Sequence, residues 1–155
     1  MRDPFVWTQD YVNDNEKSCV SVLMEGLDTL KTQLKKKKFA DAAENLEGIV
    51  HGLSMLCAID GDCDEYYCAP LYSNRYALAK VYLFGLEDEE KGVPALENAC
   101  EAAAHCVRFA SREAMARGDL KVMEDVLADF RAGRPLAKIR KELFRHFPKD
   151  ILEKM

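Results

Sequence analysis

The sequence predicts an all-α protein, an antiparallel helical bundle or stack of helical hairpins with about six helices. Three observations predict it. Apolar residues recur at spacings of three and four through most of the chain, the mark of a helix with one buried face. No stretch alternates apolar and polar residues convincingly as a strand would. Short Gly-, Pro- and Lys-rich links separate the periodic stretches, which favours neighbouring helices running antiparallel.

The first long helix is expected to start near Asn13 or Asp14, residue types that cap free backbone N–H groups. Cys19, Val20, Leu23, Leu27, Leu30 and Leu34 form its apolar stripe, and the run from Lys35 to Lys38 reads as a solvated helix end. A second helix is expected from Phe39 to Ala58, with Phe39, Ala42, Ala43, Leu46, Ile49, Val50, Leu53 and Cys57 on one face. Gly48 and Gly52 stand one turn apart on its back; they either weaken the helix or admit a close neighbour. A third helix carries Tyr76, Ala79, Tyr82 and Leu83 and ends near Gly85. The EDEEKG segment reads as a loop, and Pro94 fits the first turn of a fourth helix. The stripe of that helix, from Val93 through Leu96, Ala99, Cys100, Ala103, Val107 and Ala110, is rich in small side chains that permit close packing. Gly118-Asp119 reads as a stop and a cap. Beyond it lie a fifth helix ending at Gly133 and a sixth opened by Pro135, with Leu136, Ile139, Leu143 and Phe147, stopped by Pro148. The expected organisation is one domain, with a four-helix body over residues 13–116 and a C-terminal extension over 119–155 packing on it.

A chain of 155 residues is long enough for a substantial core without covalent staples. Its 48% hydrophobic and 32% charged residues suit a folded protein and exclude a disordered one. The net charge of -5 and isoelectric point near 5.3 argue against generic nucleic-acid binding. No apolar run is long enough to span a bilayer, and MRDPFVWTQDYVNDNEK lacks the apolar centre of a signal peptide. A cytoplasmic protein with reduced cysteines is therefore expected, with no membrane partner.

The densest chemistry lies in CAIDGDCDEYYC, residues 57–68. Asp60, Asp62 and Asp64 imitate the first ligands of a calcium loop, yet Glu65 stands where the turn needs glycine and Leu71 where it needs a bidentate glutamate. Cys57, Cys63 and Cys68 are the candidate metal ligands. Five and four residues intervene between them, more than in the knuckle that places two thiolates on one zinc ion. Buried reduced cysteines are the expectation, with no metal and no cofactor. His51, His105 and His146 lie in no nucleophile or metal motif, and no phosphate-cradling glycine loop is present, so an enzyme is not expected.

Charge is unevenly distributed. Between residues 131 and 149 the basic residues include Arg134, Lys138, Arg140, Lys141 and Arg145, against the single acid Glu142. These five, with Phe144, are the candidate interaction residues. They offer either a docking face for an acidic protein or phosphate contacts for a nucleic acid.

Two resemblances carry a functional expectation. KKKKFADAAENLEGIV resembles the turn and second helix of a tetratricopeptide repeat, through Phe39, Ala42 and Leu46. LMEGLDTLKTQL, AENLEGIVHGLSML and LYSNRYALAKVYL, followed by a long helix, resemble the successive helices of the flagellin-binding secretion chaperones over residues 23 to 112. The second resemblance implies an antiparallel bundle that holds an extended helical peptide along apolar grooves. The expected function is accordingly a non-enzymatic protein-interaction module, adaptor-like or chaperone-like, that binds a peptide or helix or pairs with a second copy as a homodimer. The alternatives are a nucleic-acid-associated protein using the basic C-terminal helix and a small metal-dependent enzyme built on the cysteine segment.

Overall fold

The computed structural model describes residues 3–59 and 65–153. The described residues form eight α-helices and no strand, as the periodicity predicts. Helix α1 spans Gln9–Asp14, α2 Glu16–Lys35, α3 Phe39–Cys57, α4 Glu65–Lys80 and α5 Glu89–Cys106. The last three are α6, Glu113–Arg131, α7, Leu136–Leu143, and α8, Lys149–Leu152. From α2 to α6 each helix packs on the next in sequence. The core lies along these successive contacts and includes the predicted stripe residues Leu23, Leu30, Leu34, Leu46, Ile49 and Leu96, all buried.

The α2–α3 turn shows how the lysine run works. Lys37 N–H donates to Leu34 O at 3.1 Å and Lys38 N–H to Gln33 O at 2.9 Å, satisfying carbonyls that the helix end leaves free. Lys37 takes the left-handed conformation this turn needs, with φ 56°. The end of α6 uses the same pair of bonds, from Gly133 to Phe130 O and from Arg134 to Asp129 O, and there a glycine supplies the left-handed residue.

Several expected boundaries move. The first long helix begins at Glu16, because Asn15 turns its side chain back to Tyr11 O at 2.8 Å and does not cap it. A turn at Pro4–Val6 and α1 precede it and lie on α3. This segment resolves the question of the two glycines. A Cβ on Gly52 would stand 2.7 Å from the Trp7 ring and 2.9 Å from Leu23, and one on Gly48 would stand 3.1 Å from Phe5. The bare backbone of α3 lets the N-terminal segment seat Trp7 in the core, where it is 4% exposed.

Helix α5 starts earlier than Pro94 suggests. Asp88 accepts from Lys91 N at 3.1 Å, and Glu89 and Glu90 occupy the electropositive first turn, so most of EDEEKG is helix rather than loop. Pro94 stands in the second turn. The break after α5 falls at residues 107–112, and α6 runs straight through Gly118-Asp119. Asp119 does not cap; its carboxylate is taken by the Tyr72 hydroxyl at 2.5 Å. The interior glycine costs about 1 kcal/mol of helix propensity, which burial of Ala116, Met123, Val126 and Leu127 outweighs. Helix α7 stops at Leu143 and does not reach Phe147, whose ring turns into the core.

Helix α4 continues into a π-helical turn, Val81–Gly85, closed by Leu86 N–H donating to Val81 O at 3.0 Å. Val81, Tyr82, Leu83 and Phe84 are all buried. An α-helix at about 100° per residue cannot bury four consecutive side chains against one neighbour. Here the turn is enclosed by α3, α5 and α7. Tyr82 donates to Glu47 at 2.6 Å, Leu83 meets Gly92, and Phe84 stacks on Phe144 with centroids 4.6 Å apart.

Candidate functional site

Alternate helices α2, α4 and α6 line a concave groove of about 530 Å³, with Leu143, Phe144 and α8 also contributing to its wall. The spacing of side chains explains its walls. On α4, Tyr72, Tyr76 and Lys80 recur every four residues and so share a face. On α2, Met24, Leu27 and Lys31 follow at spacings of three and four and also share a face, with Asp28 beside them; on α6, Asp119 and Val122 stand one turn apart.

The rim is apolar and open. Met24 is 59% exposed, Val122 53% and Leu143 50%, although large apolar side chains normally turn inward. The floor holds a chain of polar contacts. Lys80 is almost completely buried and meets Asp150 of α8 at 3.1 Å, with its ammonium 4.2 Å from the centre of the Tyr76 ring. The ring face carries partial negative charge and helps compensate the cation. Asp150 Oδ1 is buried without a hydrogen-bond partner among the described residues. Burial, then the hydrogen bond to Asp119, raises the Tyr72 phenol above its ordinary value. Tyr76 is raised first by burial and then by the Asp150 charge. Both phenols stay protonated near neutral pH. They serve there as donors and packing surfaces, and they are not poised as bases.

Sequence periodicity placed Tyr76 on a helix but did not find this groove. The available signal was the four-residue recurrence of Tyr72, Tyr76 and Lys80, which puts a lysine in register with two aromatics. Asp119 and Asp150 lie far along the chain from Lys80, and no local spacing connects them.

The candidates named from sequence are dispersed. Cys57 ends α3 and is buried; Cys68 is buried on α4, with Sγ 3.4 Å from Glu65 O. Cys63 lies outside the described residues, as do Asp60, Asp62 and Asp64. Among the described residues no group of three His, Cys, Asp or Glu side chains is placed to hold a metal ion. Tyr67 is half-buried and donates to Glu16 at 2.6 Å, whereas Tyr66 is 81% exposed.

The basic stretch is divided by its surroundings. Arg134 is held by Asp129 at 3.0 Å and Glu142 at 2.6 Å. Arg140 donates from Nη1 to Phe84 O at 2.9 Å. Phe144 is buried on Phe84 and is also among the residues lining the groove. Lys138, Lys141 and Arg145 are exposed. The stretch is therefore not one uniform cationic face.

No helix among the described residues is long and apolar enough to cross a membrane. Comparison of the chain with protein-family models, with curated proteins and with solved structures finds no match.

Proposed function

We propose that this chain is a non-enzymatic binding module that holds an amphipathic helix of a partner protein in the groove between α2, α4 and α6. The observation that carries the reading is the ring of exposed Met24, Val122 and Leu143 around a concavity floored by buried Leu30, Tyr72 and Ile151. A helix with apolar residues at successive turns buries its stripe in such a groove, and methionine on the rim adapts to its contours. The ionisable groups of the groove floor are matched internally through Lys80–Asp150 and Tyr72–Asp119. Affinity would therefore come from apolar burial. Asp28 and Lys31, close together on the α2 wall, would set orientation by meeting opposite charges that flank the partner's stripe. The same mode of binding is what the resemblance to flagellin-binding chaperones implies.

Methionine-methyl NMR tests this with a synthetic helix carrying leucine at successive turns and a scrambled control. The Met24 signal should shift with the helix and not with the control, Met115 should stay still, and Met24→Asp should weaken binding at least about tenfold. Absence of binding, or shifts centred on Met115, would refute the reading. A Met24 shift that follows protein concentration without peptide would show a second copy in the groove instead.

A further inference from the structure

We infer that the cleft between the π turn and α7 is a second binding site, independent of the groove, for an acidic side chain of a partner peptide. The cleft has a volume of about 580 Å³. Leu136 and Ala137 supply its apolar surface over the buried Leu83, and Arg140, Lys141 and Arg145 line it with one acid, Glu87.

Arg140 is the centre of the site because its position is already fixed. Its Nη1 donates to Phe84 O at 2.9 Å, and the guanidinium lies 5.9 Å from the Phe147 ring centre. A guanidinium has five N–H donors in a rigid fork, and this bond uses one. No second acceptor within the described chain engages Arg140. The rest of the fork is held at the cleft with little rotamer freedom left to lose, which favours two parallel bonds to a carboxylate. Arg134 makes the contrast, since Asp129 and Glu142 already occupy it. Lys141 and Arg145 are exposed and add attraction at the rim, while an apolar residue beside the carboxylate would cover Leu136 and Ala137.

A short acidic peptide fits this cleft better than a nucleic acid does. Glu87 lies in it, with exposed Glu89 and Glu90 following in the chain, so a continuous phosphate backbone would meet repeated repulsion. Base stacking needs exposed rings, and Phe144 and Phe147 are both buried.

Fluorescence anisotropy with a short labelled peptide carrying one glutamate beside leucine tests the site. Binding should appear at low salt and weaken as salt rises. The exposed double change Lys141→Glu/Arg145→Glu should weaken it at least about tenfold, and Arg140→Lys should weaken it although the charge is kept. Circular dichroism of each variant checks that the fold is intact. Met24→Asp should leave this binding unchanged, which separates failure of the cleft from failure of the groove. The inference falls if the peptide does not bind at low salt or if charge reversal has no effect. It also falls if a single-stranded oligonucleotide binds through these residues in preference to the peptide.

Discussion

The buried ion pair at the groove floor should respond very differently to loss of one partner or the other. The Lys80 side chain is 6% exposed and that of Asp150 28%, at a separation of 3.1 Å. At an effective dielectric near 20, the gross attraction at that distance is about 5 kcal/mol. Asp150→Ala removes the carboxylate facing a buried ammonium, and removing one member of a buried pair costs about 3–5 kcal/mol. Three features reduce that here. Asp150 is partly exposed and its charge is screened, the Tyr76 ring still faces the ammonium, and the unpartnered Oδ1 is removed with the side chain. The expected cost of Asp150→Ala is therefore about 2–3 kcal/mol. Lys80→Met keeps the packed stem and leaves a carboxylate that can turn toward water, so its cost should be about 1 kcal/mol. The double variant should be destabilised by less than the sum of the two. Urea unfolding followed by circular dichroism measures all three. If Lys80→Met costs as much as Asp150→Ala, or if the two effects simply add, the electrostatic account of the floor is wrong.

Three further outcomes are expected. Gly52→Ala should push against Trp7 and Leu23 and cost about 1–3 kcal/mol as overpacking; the single tryptophan reports it directly through a red-shifted emission. Lys37→Gly should stabilise by about 0.5–1 kcal/mol by relieving a left-handed lysine. That should raise the melting temperature by a few degrees; a lower one would mean that the lysine contributes a contact outweighing the strain. Tyr72, Tyr76 and Tyr82 are all raised, each first by burial, so their neutral forms are favoured in the fold. The stabilisation they give is complete below about pH 10 and is lost as pH rises through the higher folded values. Alkaline titration at the phenolate absorbance should show these three ionising with unfolding; early ionisation in the intact fold would contradict their burial.

The helical class and the stripes of α2 and α3 were legible because long helices repeat one signal over many turns. Leu23, Leu30 and Leu34 fall in register with no knowledge of their neighbours. Short elements carry no such repetition, so α1, with 6 residues, was not visible. Boundaries failed where a side chain found a tertiary partner in place of a local one. Asp119 has the right identity for a cap but spends its oxygen on Tyr72, and Phe147 fits a helical stripe but packs against Phe39 with centroids 5.4 Å apart. The groove was illegible for the same reason, since its walls come from helices that alternate along the chain. The basic stretch was visible as composition, but which cations remain available depended on Asp129, Glu142 and the carbonyl of Phe84.

The Lys80–Asp150 bridge also bears on how the chain folds in time. Its partners are 70 residues apart, whereas α2 through α6 each find their main neighbour in the adjoining helix. Contacts close in sequence form early, and closing a long loop is the slower event. The helical stack should therefore assemble while Lys80 is still hydrated, and the α8 part of the groove should arrive afterwards. A refolding experiment would then see helix content recover ahead of the proposed binding of a partner helix.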